Sequence, residues 1–137
     1  MSFRQISVFL ENRPGALLEM TEILSANEID MRAFSLAETN DFGIARVIVD
    51  DVEKTAAILR EQGYILSITP VIAVEVPNEP GGLKQTLRAL SEEHVNVEYM
   101  YAFVGSDPSH AMMVFRVADP EKAAAALESA GIKEVIL

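Results

Sequence analysis

The sequence predicts an α+β fold made of two copies of one βαββαβ module, and two observations support this. One is an internal repeat, at an offset of 66 early in each copy and of 68 later. The other is that both copies show the same order of strand-like alternation and helix-like spacing of apolar residues. The boundaries fall at residues 1–69 and 70–137. Identical pairs include Ile6/Ile72, Val8/Val74, Asn12/Asn78, Pro14/Pro80, Gly15/Gly81, Leu17/Leu83, Asp51/Asp119 and Gly63/Gly131.

Each element of the module follows from a local pattern. Alternation at Ile6, Val8 and Leu10 predicts the first strand, and the Pro-Gly after it ends that strand and opens a helix. Apolar residues spaced by three and four from Leu17 to Leu24 give this helix one buried stripe. The segments IDMRAFSLAE and GIARVIVD are the next two strands, matched by VNVEYMYAFV and AMMVFRVAD in the second copy.

The second helix of each copy carries clear start and stop signals. DVEKTAAILREQG and DPEKAAAALESAG begin with an N-cap aspartate, carry glutamate in the first turn and stop at glycine. Short apolar tails at residues 64–68 and 132–137 supply a last strand to each copy. The two-residue slip between copies falls in the loop GSDPSH, residues 105–110.

The helical stripes are best buried when both helices pack on one face of a four-stranded antiparallel sheet, which gives a ferredoxin-like module. A module this short is marginally stable alone, so we expect the two copies to pack side by side. Pairing of their edge strands predicts one eight-stranded antiparallel sheet with helices on one face.

Composition excludes several classes of function. The formal charge of −10 argues against nucleic acid and anionic membranes as partners. The chain lacks a long apolar run or a signal-peptide pattern, so we expect a cytoplasmic protein. It has no cysteine, and His94 and His110 are expected to be exposed, so no metal or cofactor is predicted. We find no nucleophile or acid/base pair, so we do not expect an enzyme.

The distinctive segments are LENRPGAL and VPNEPGGL, each between the first strand and first helix of a copy. In each copy, an apolar strand is followed by Asn-x-Pro-Gly-x-Leu, an amphipathic helix and a short apolar-polar-apolar segment. This order resembles the ACT domain, a small-molecule-sensing module of amino-acid metabolism. The resemblance covers nearly the whole chain, twice. Glu79 stands where the first copy has Arg13, and Gly82 where it has Ala16, so the two sites need not be equivalent.

The same turn is suited to a zwitterion. Backbone amides that open the first helix favour a carboxylate, while side-chain oxygens of Asn12 and Asp30 accept hydrogen bonds from an ammonium group. The resemblance implies that ligands bind there, at the seam between two modules. The candidate ligand-binding residues are Leu10, Asn12, Arg13, Gly15, Ala16, Leu17 and Asp30 in the first copy and Asn78, Gly81, Gly82, Leu83 and Asn96 in the second.

Two interpretations of function stay open. In the first, the chain is an allosteric sensor that binds a free amino acid and regulates an enzyme partner in trans, as a monomer or a homodimer. In the second, Pro-Gly only turns the chain, Asn12 and Asn78 only cap that turn, and the chain is a protein-interaction or regulatory-subunit module without a ligand. A small enzyme of ferredoxin-like fold ranks last.

Overall fold

The structure is a computed structural model that describes residues 3–103 and 107–135. It divides into two compact units: the N-terminal module, Arg4–Thr69, and the C-terminal module, which comprises the described residues from Pro70 onward together with Phe3. The elements are β1 (Phe3–Glu11), α1 (Ala16–Ala26), β2 (Met31–Glu38), β3 (Phe42–Val49), α2 (Val52–Glu61), β4 (Leu66–Pro77), α3 (Gly82–Glu92), β5 (Val97–Phe103), β6 (His110–Val117) and α4 (Pro120–Ser129).

The predicted helix caps are confirmed. The Asp51 side chain accepts a hydrogen bond from the Lys54 amide at 3.0 Å, and Asp119 accepts one from the Lys122 amide at 3.1 Å. Past the other end of α2, Gly63 has a φ of 86°, a left-handed conformation that suits glycine. These local signals fix where α2 and α4 lie in the chain.

In the N-terminal module, antiparallel β3 lies between β1 and β2. The start of β4 follows on the other side of β1, where the Phe9 amide donates to the Ile65 carbonyl at 2.9 Å. Both helices pack on one face of these strands, as the ferredoxin-like arrangement predicts. The buried core of the N-terminal module consists of Ile6, Val8, Leu10, Ala16, Met20, Leu24, Ile29, Ala45, Val47, Val49, Ala56 and Leu59.

The C-terminal module repeats this arrangement. Antiparallel β6 lies between β4 and β5. The Glu75 amide donates to the Lys133 carbonyl at 3.2 Å, the counterpart of the Phe9–Ile65 bond. Its buried core is Ile72, Val74, Val76, Ala89, Leu90, Val95, Phe115, Val117, Ala123 and Leu127.

The expectation of eight strands is wrong, because the described residues contain six. The last strand of the first copy and the first strand of the second are one continuous strand, β4, since Thr69-Pro70-Val71 carries no turn residue other than a proline that extended backbone tolerates. At the end of the second copy, the residues described up to 135 form an isolated bridge, between Val74 and Glu134, and no further named strand. Residues 105, 106, 136 and 137 of the predicted loop and tail lie outside the described residues.

Candidate functional site

The turn between β1 and α1 opens the N-terminal helix on a glycine. Gly15 has φ 85° and ψ −13°, a left-handed conformation that glycine adopts without strain. No side chain caps the helix, and the Ala16 amide donates to the Arg13 carbonyl at 3.3 Å. Because the first turn of α1 has no side-chain acceptor, this end of the helix is suited to an anion.

Arg13 adds a positive charge beside this turn. Its Nη1 lies 3.9 Å from the position that a Cβ on Gly15 would take. Nε of Arg13 donates to Glu11 Oε2 at 2.7 Å, and Nη2 donates to Glu19 Oε2 at 2.8 Å. The Arg13 hydrogen bond lowers the pKa of Glu19. These side chains are 44–77% exposed, so the ion pairs are weak and a ligand carboxylate can compete for the guanidinium.

Asn12 is exposed at the same turn. Its backbone amide donates to the Asp41 carbonyl at 3.4 Å, while its side-chain amide has no hydrogen-bond partner among the described residues. The sequence left open whether Asn12 only caps the turn. The geometry gives its side chain no capping role, because the helix has no side-chain cap.

Two pockets flank the turn. The larger, of about 400 Å³, lies between α1 and the segment after α2, and its polar lining residues are Glu11, Arg13, Glu19, Gln62 and Tyr64. Burial raises the pKa of Tyr64, as does the nearby charge of Glu19. A volume of this size admits a small ligand. The second, of about 90 Å³, is lined by Asn12 and Leu17 among others.

The structure therefore brings most of the N-terminal candidates together. The small pocket contains five of them, Leu10, Asn12, Arg13, Ala16 and Leu17. The prediction missed Glu11, Glu19 and Tyr64. The sequence could have pointed to Glu11 and Glu19, because these acidic residues lie two and six positions from Arg13. Only the tertiary structure brings Tyr64 to them.

Asp30 does not join this group within its own module. Glu11, just before Asn12, pairs with Phe42 at one end of β3, whereas Met31, just after Asp30, pairs with Val49 at the other end. Seven residues of strand separate the two ends, which is about 23 Å at roughly 3.3 Å per residue. Asp30 accepts a hydrogen bond from Arg32 Nε at 2.9 Å instead.

The repeated turn in the C-terminal module is less open to a ligand. Gly81 has the same left-handed backbone, with φ 84°. However, Asn78 Nδ2 donates to the Pro108 carbonyl at 3.0 Å, so its amide holds the loop before β6. Glu79 replaces Arg13 and disfavours an anion. Asn96 is exposed just before β5, away from this turn, in the same relation as Asp30 to Asn12.

Gly81, Gly82 and Leu83 line an open groove along α3 instead. At Gly82 the backbone passes very close to the end of β4, because a Cβ there would lie 2.0 Å from the Pro77 carbonyl oxygen. In the N-terminal module the same position holds Ala16. The two turns therefore share a left-handed glycine before the helix but differ in shape and charge.

The two histidines lie in different settings. His94 is exposed, as expected, in the turn after α3. His110 begins β6 and is half exposed, with its Nδ1 3.1 Å from Asp107 Oδ2 and 3.8 Å from Glu75 Oε1. Nothing in the sequence pattern pointed to this cluster, because Glu75 comes from a different strand.

These features define a tandem pair of small ferredoxin-like modules, each with a glycine-opened helix beside a polar turn. The family model of the ACT domain pair matches residues 1–134, so the chain belongs to the ACT-domain family. The resemblance drawn from the sequence is confirmed. No curated protein gives a significant match to the chain.

Solved structures agree with this assignment. Protein BT0572 from Bacteroides thetaiotaomicron is 37% identical, with a TM-score of 0.92, and the match covers 98% of this chain and 92% of that one. The regulatory subunit of aspartate kinase from Thermus thermophilus, in its ligand-free form, is 15% identical, with a TM-score of 0.69 and coverages of 93% and 91%. That from Thermus flavus is 14% identical, with a TM-score of 0.68 and coverages of 96% and 94%.

The two aspartate kinase subunits share the fold of this chain and are regulatory components by their descriptions. Over residues 3–103 and 107–135, none of the helices combines the length and apolar character needed to span a bilayer.

Proposed function

We propose that the N-terminal module binds the carboxylate of a free amino acid at the β1–α1 turn, and that binding regulates an enzyme of amino-acid metabolism. The observation that carries the proposal is the exposed Asn12 side chain, which has no partner among the described residues. It stands beside a helix N-terminus where Arg13 adds positive charge. Glu11 and Glu19 supply carboxylates for the ammonium group in the adjoining pocket of about 400 Å³.

Membership of the ACT-domain family supports a regulatory use of this site. A signal from the bound amino acid passes to another protein or to a change of oligomeric state, with coupling of about 1–3 kcal/mol. The enzyme partner and the cytoplasmic location stay predictions.

The predicted role of Asp30 leads to a more specific proposal. Asn12 and Asp30 lie about 23 Å apart along the strands, at roughly 3.3 Å per residue. One ligand touches both only when Asp30 comes from another copy of the N-terminal module, which means a homodimer or a larger homo-oligomer. A site within one chain uses Glu11 and Glu19 instead, and the effect of Asp30→Ala on amino-acid binding distinguishes the two.

The test is a thermal-shift scan of the purified chain against the twenty amino acids at millimolar concentration. A ligand at 100 times its dissociation constant adds about 2.7 kcal/mol to the native state. We expect one amino acid, or a few related ones, to raise the midpoint. Asn12→Ala should reduce that rise and Asn78→Ala, its counterpart in the repeat, should leave it intact. A cooperative protein that responds to no amino acid would refute the proposal.

A second candidate function is a protein-interaction module without a ligand. It is favoured by the edge strand β2, where Phe34 and Leu36 are 58% and 52% exposed. Exposed apolar side chains on an edge strand suit contact with another protein. Phe34→Ser with Leu36→Ser should then abolish co-purification of a partner or self-association measured by light scattering. Unchanged association in the double variant would count against this candidate.

A further inference from the structure

Three side chains that commonly bind metals converge in the C-terminal module. Glu75 of β4, Asp107 and His110 each present one donor atom, and these atoms all lie within 4.8 Å of one another. His110 Nδ1 is 3.1 Å from Asp107 Oδ2 and 3.8 Å from Glu75 Oε1. Donor atoms bound to one ion at about 2.0–2.2 Å are separated by roughly 3–4 Å. Both distances to His110 already fall in that range.

We propose that Glu75, Asp107 and His110 form a binding site for one divalent first-row metal ion, with Zn²⁺ as the ion that fits best. One imidazole nitrogen and two carboxylate oxygens are a donor set that Zn²⁺ accepts. Glu75 and His110 also line a pocket of about 270 Å³, which leaves room for water to complete the coordination. This site is separate from the proposed amino-acid site in the N-terminal module.

Each carboxylate keeps one oxygen for the ion and has the other held by a neighbour. Asp107 Oδ1 accepts hydrogen bonds from the Ser109 hydroxyl at 2.6 Å and the Ser109 amide at 2.9 Å, which leaves Oδ2 toward His110. Glu75 Oε2 pairs with Lys133 Nζ at 3.6 Å, which leaves Oε1 toward His110. Such outer partners orient metal ligands.

The positive charge beside Glu75 does not exclude a metal ion from the site. The Lys133 side chain is 78% exposed, so it can move away when a metal ion supplies the positive charge.

The repeat indicates that the fold does not require this cluster. The two modules share the backbone bond that joins Phe9 to Ile65 in one and Glu75 to Lys133 in the other. The repeat alignment places Phe9, Phe42 and Ile65 at the positions of Glu75, His110 and Lys133. Phe9 and Phe42 make an edge-to-face ring contact, with centroids 5.7 Å apart. The N-terminal module is therefore apolar where the C-terminal module carries Glu75 and His110. Asp107 lies in the loop that is two residues longer in the second copy than in the first.

Calorimetric titration of the full chain with Zn²⁺ alone, free of any histidine tag, tests the site. We expect one ion per chain. Replacing a ligand should weaken binding about tenfold or more, because even outer-sphere changes cost about 10–100-fold. His110→Ala should therefore weaken binding, whereas His94→Asn, which removes the other histidine and tolerates its φ of 57°, should not.

Near-isosteric variants guard against loss of folding. Glu75→Gln and Asp107→Asn keep the side-chain shape, and circular dichroism checks that they fold. Each should weaken Zn²⁺ binding and change the visible absorption bands of the Co²⁺-substituted protein. Absence of one-to-one binding, or equal affinity in the wild type and His110→Ala, would overturn the proposal. So would an equal loss in His94→Asn. None of these outcomes depends on amino-acid binding.

Discussion

The substitution Gly82→Ala tests the close approach of β4 to α3. The Cβ it adds would lie 2.0 Å from the Pro77 carbonyl oxygen, well inside the 3.0 Å that real Cβ contacts respect. Gly82 is not among the glycines with positive φ, so the clash is the only obstacle. The contact is with backbone, which cannot rotate away, and overpacking of this kind costs about 1–3 kcal/mol.

The expected cost converts to a measurable shift in the midpoint temperature of thermal unfolding. At about 2.1 cal/mol/K per residue, the entropy of unfolding of a 137-residue chain is about 0.29 kcal/mol/K. If the chain unfolds as one unit, Gly82→Ala should lower the midpoint by about 3–10 °C. The assay is calorimetry, supported by urea unfolding.

The matched control is Gly81→Ala. Gly81 has a φ of 84°, but a Cβ there would meet nothing within 4 Å, so only backbone strain of about 1–2 kcal/mol is expected. The repeat already places alanine at residue 16, the position equivalent to 82. Because alanine favours helix over glycine by up to about 1 kcal/mol, a stabilised Gly82→Ala variant would refute the reasoning.

Two further predictions concern Asp51, Asp119 and Asp107. Asp51→Ala and Asp119→Ala each remove the hydrogen bond to an amide in the first helical turn. Each should cost about 0.5–2 kcal/mol by urea unfolding, and Ser at either position should restore most of the loss. The pKa of Asp107 is lowered from 3.8 to about 2, so its contribution to stability is present above 3.8 and is lost as pH falls toward 2. Asp107→Asn should therefore reduce the dependence of the free energy of unfolding on pH in the acid range. A pH dependence equal to that of the wild type would contradict the lowered pKa of Asp107.

Local signals in the sequence predicted the elements well. The N-cap aspartates and the glycines that follow α2 and α4 act through neighbouring backbone groups, so the sequence alone shows them. The predicted number of strands was wrong at Thr69-Pro70-Val71, where one strand was expected to end and β4 instead continues. Extended backbone accepts proline, and no glycine or asparagine forces a turn there.

The arrangement of the site was less predictable. Repeat alignment shows that Asn12 and Asp30 have counterparts, but not which end of the sheet each occupies. The register of β3 places them at opposite ends. Likewise Tyr64 and Glu75 reach their sites through strand pairing and chain packing, which leave no mark on the local sequence. Gln5 alternates with the apolar Ile6 along β1, yet it is also fully buried, and its side chain donates to Ser7 Oγ at 3.2 Å.

The most direct test of the central claim is an amide NMR titration of the ¹⁵N-labelled chain with pooled amino acids, followed by the individual members of any active pool. We expect the amides of Gly15, Ala16 and Leu17 to shift on binding, while those of Gly81 and Gly82 stay in place. Shifts confined to the second turn, or no shift in the β1–α1 turn with any amino acid, would contradict the account.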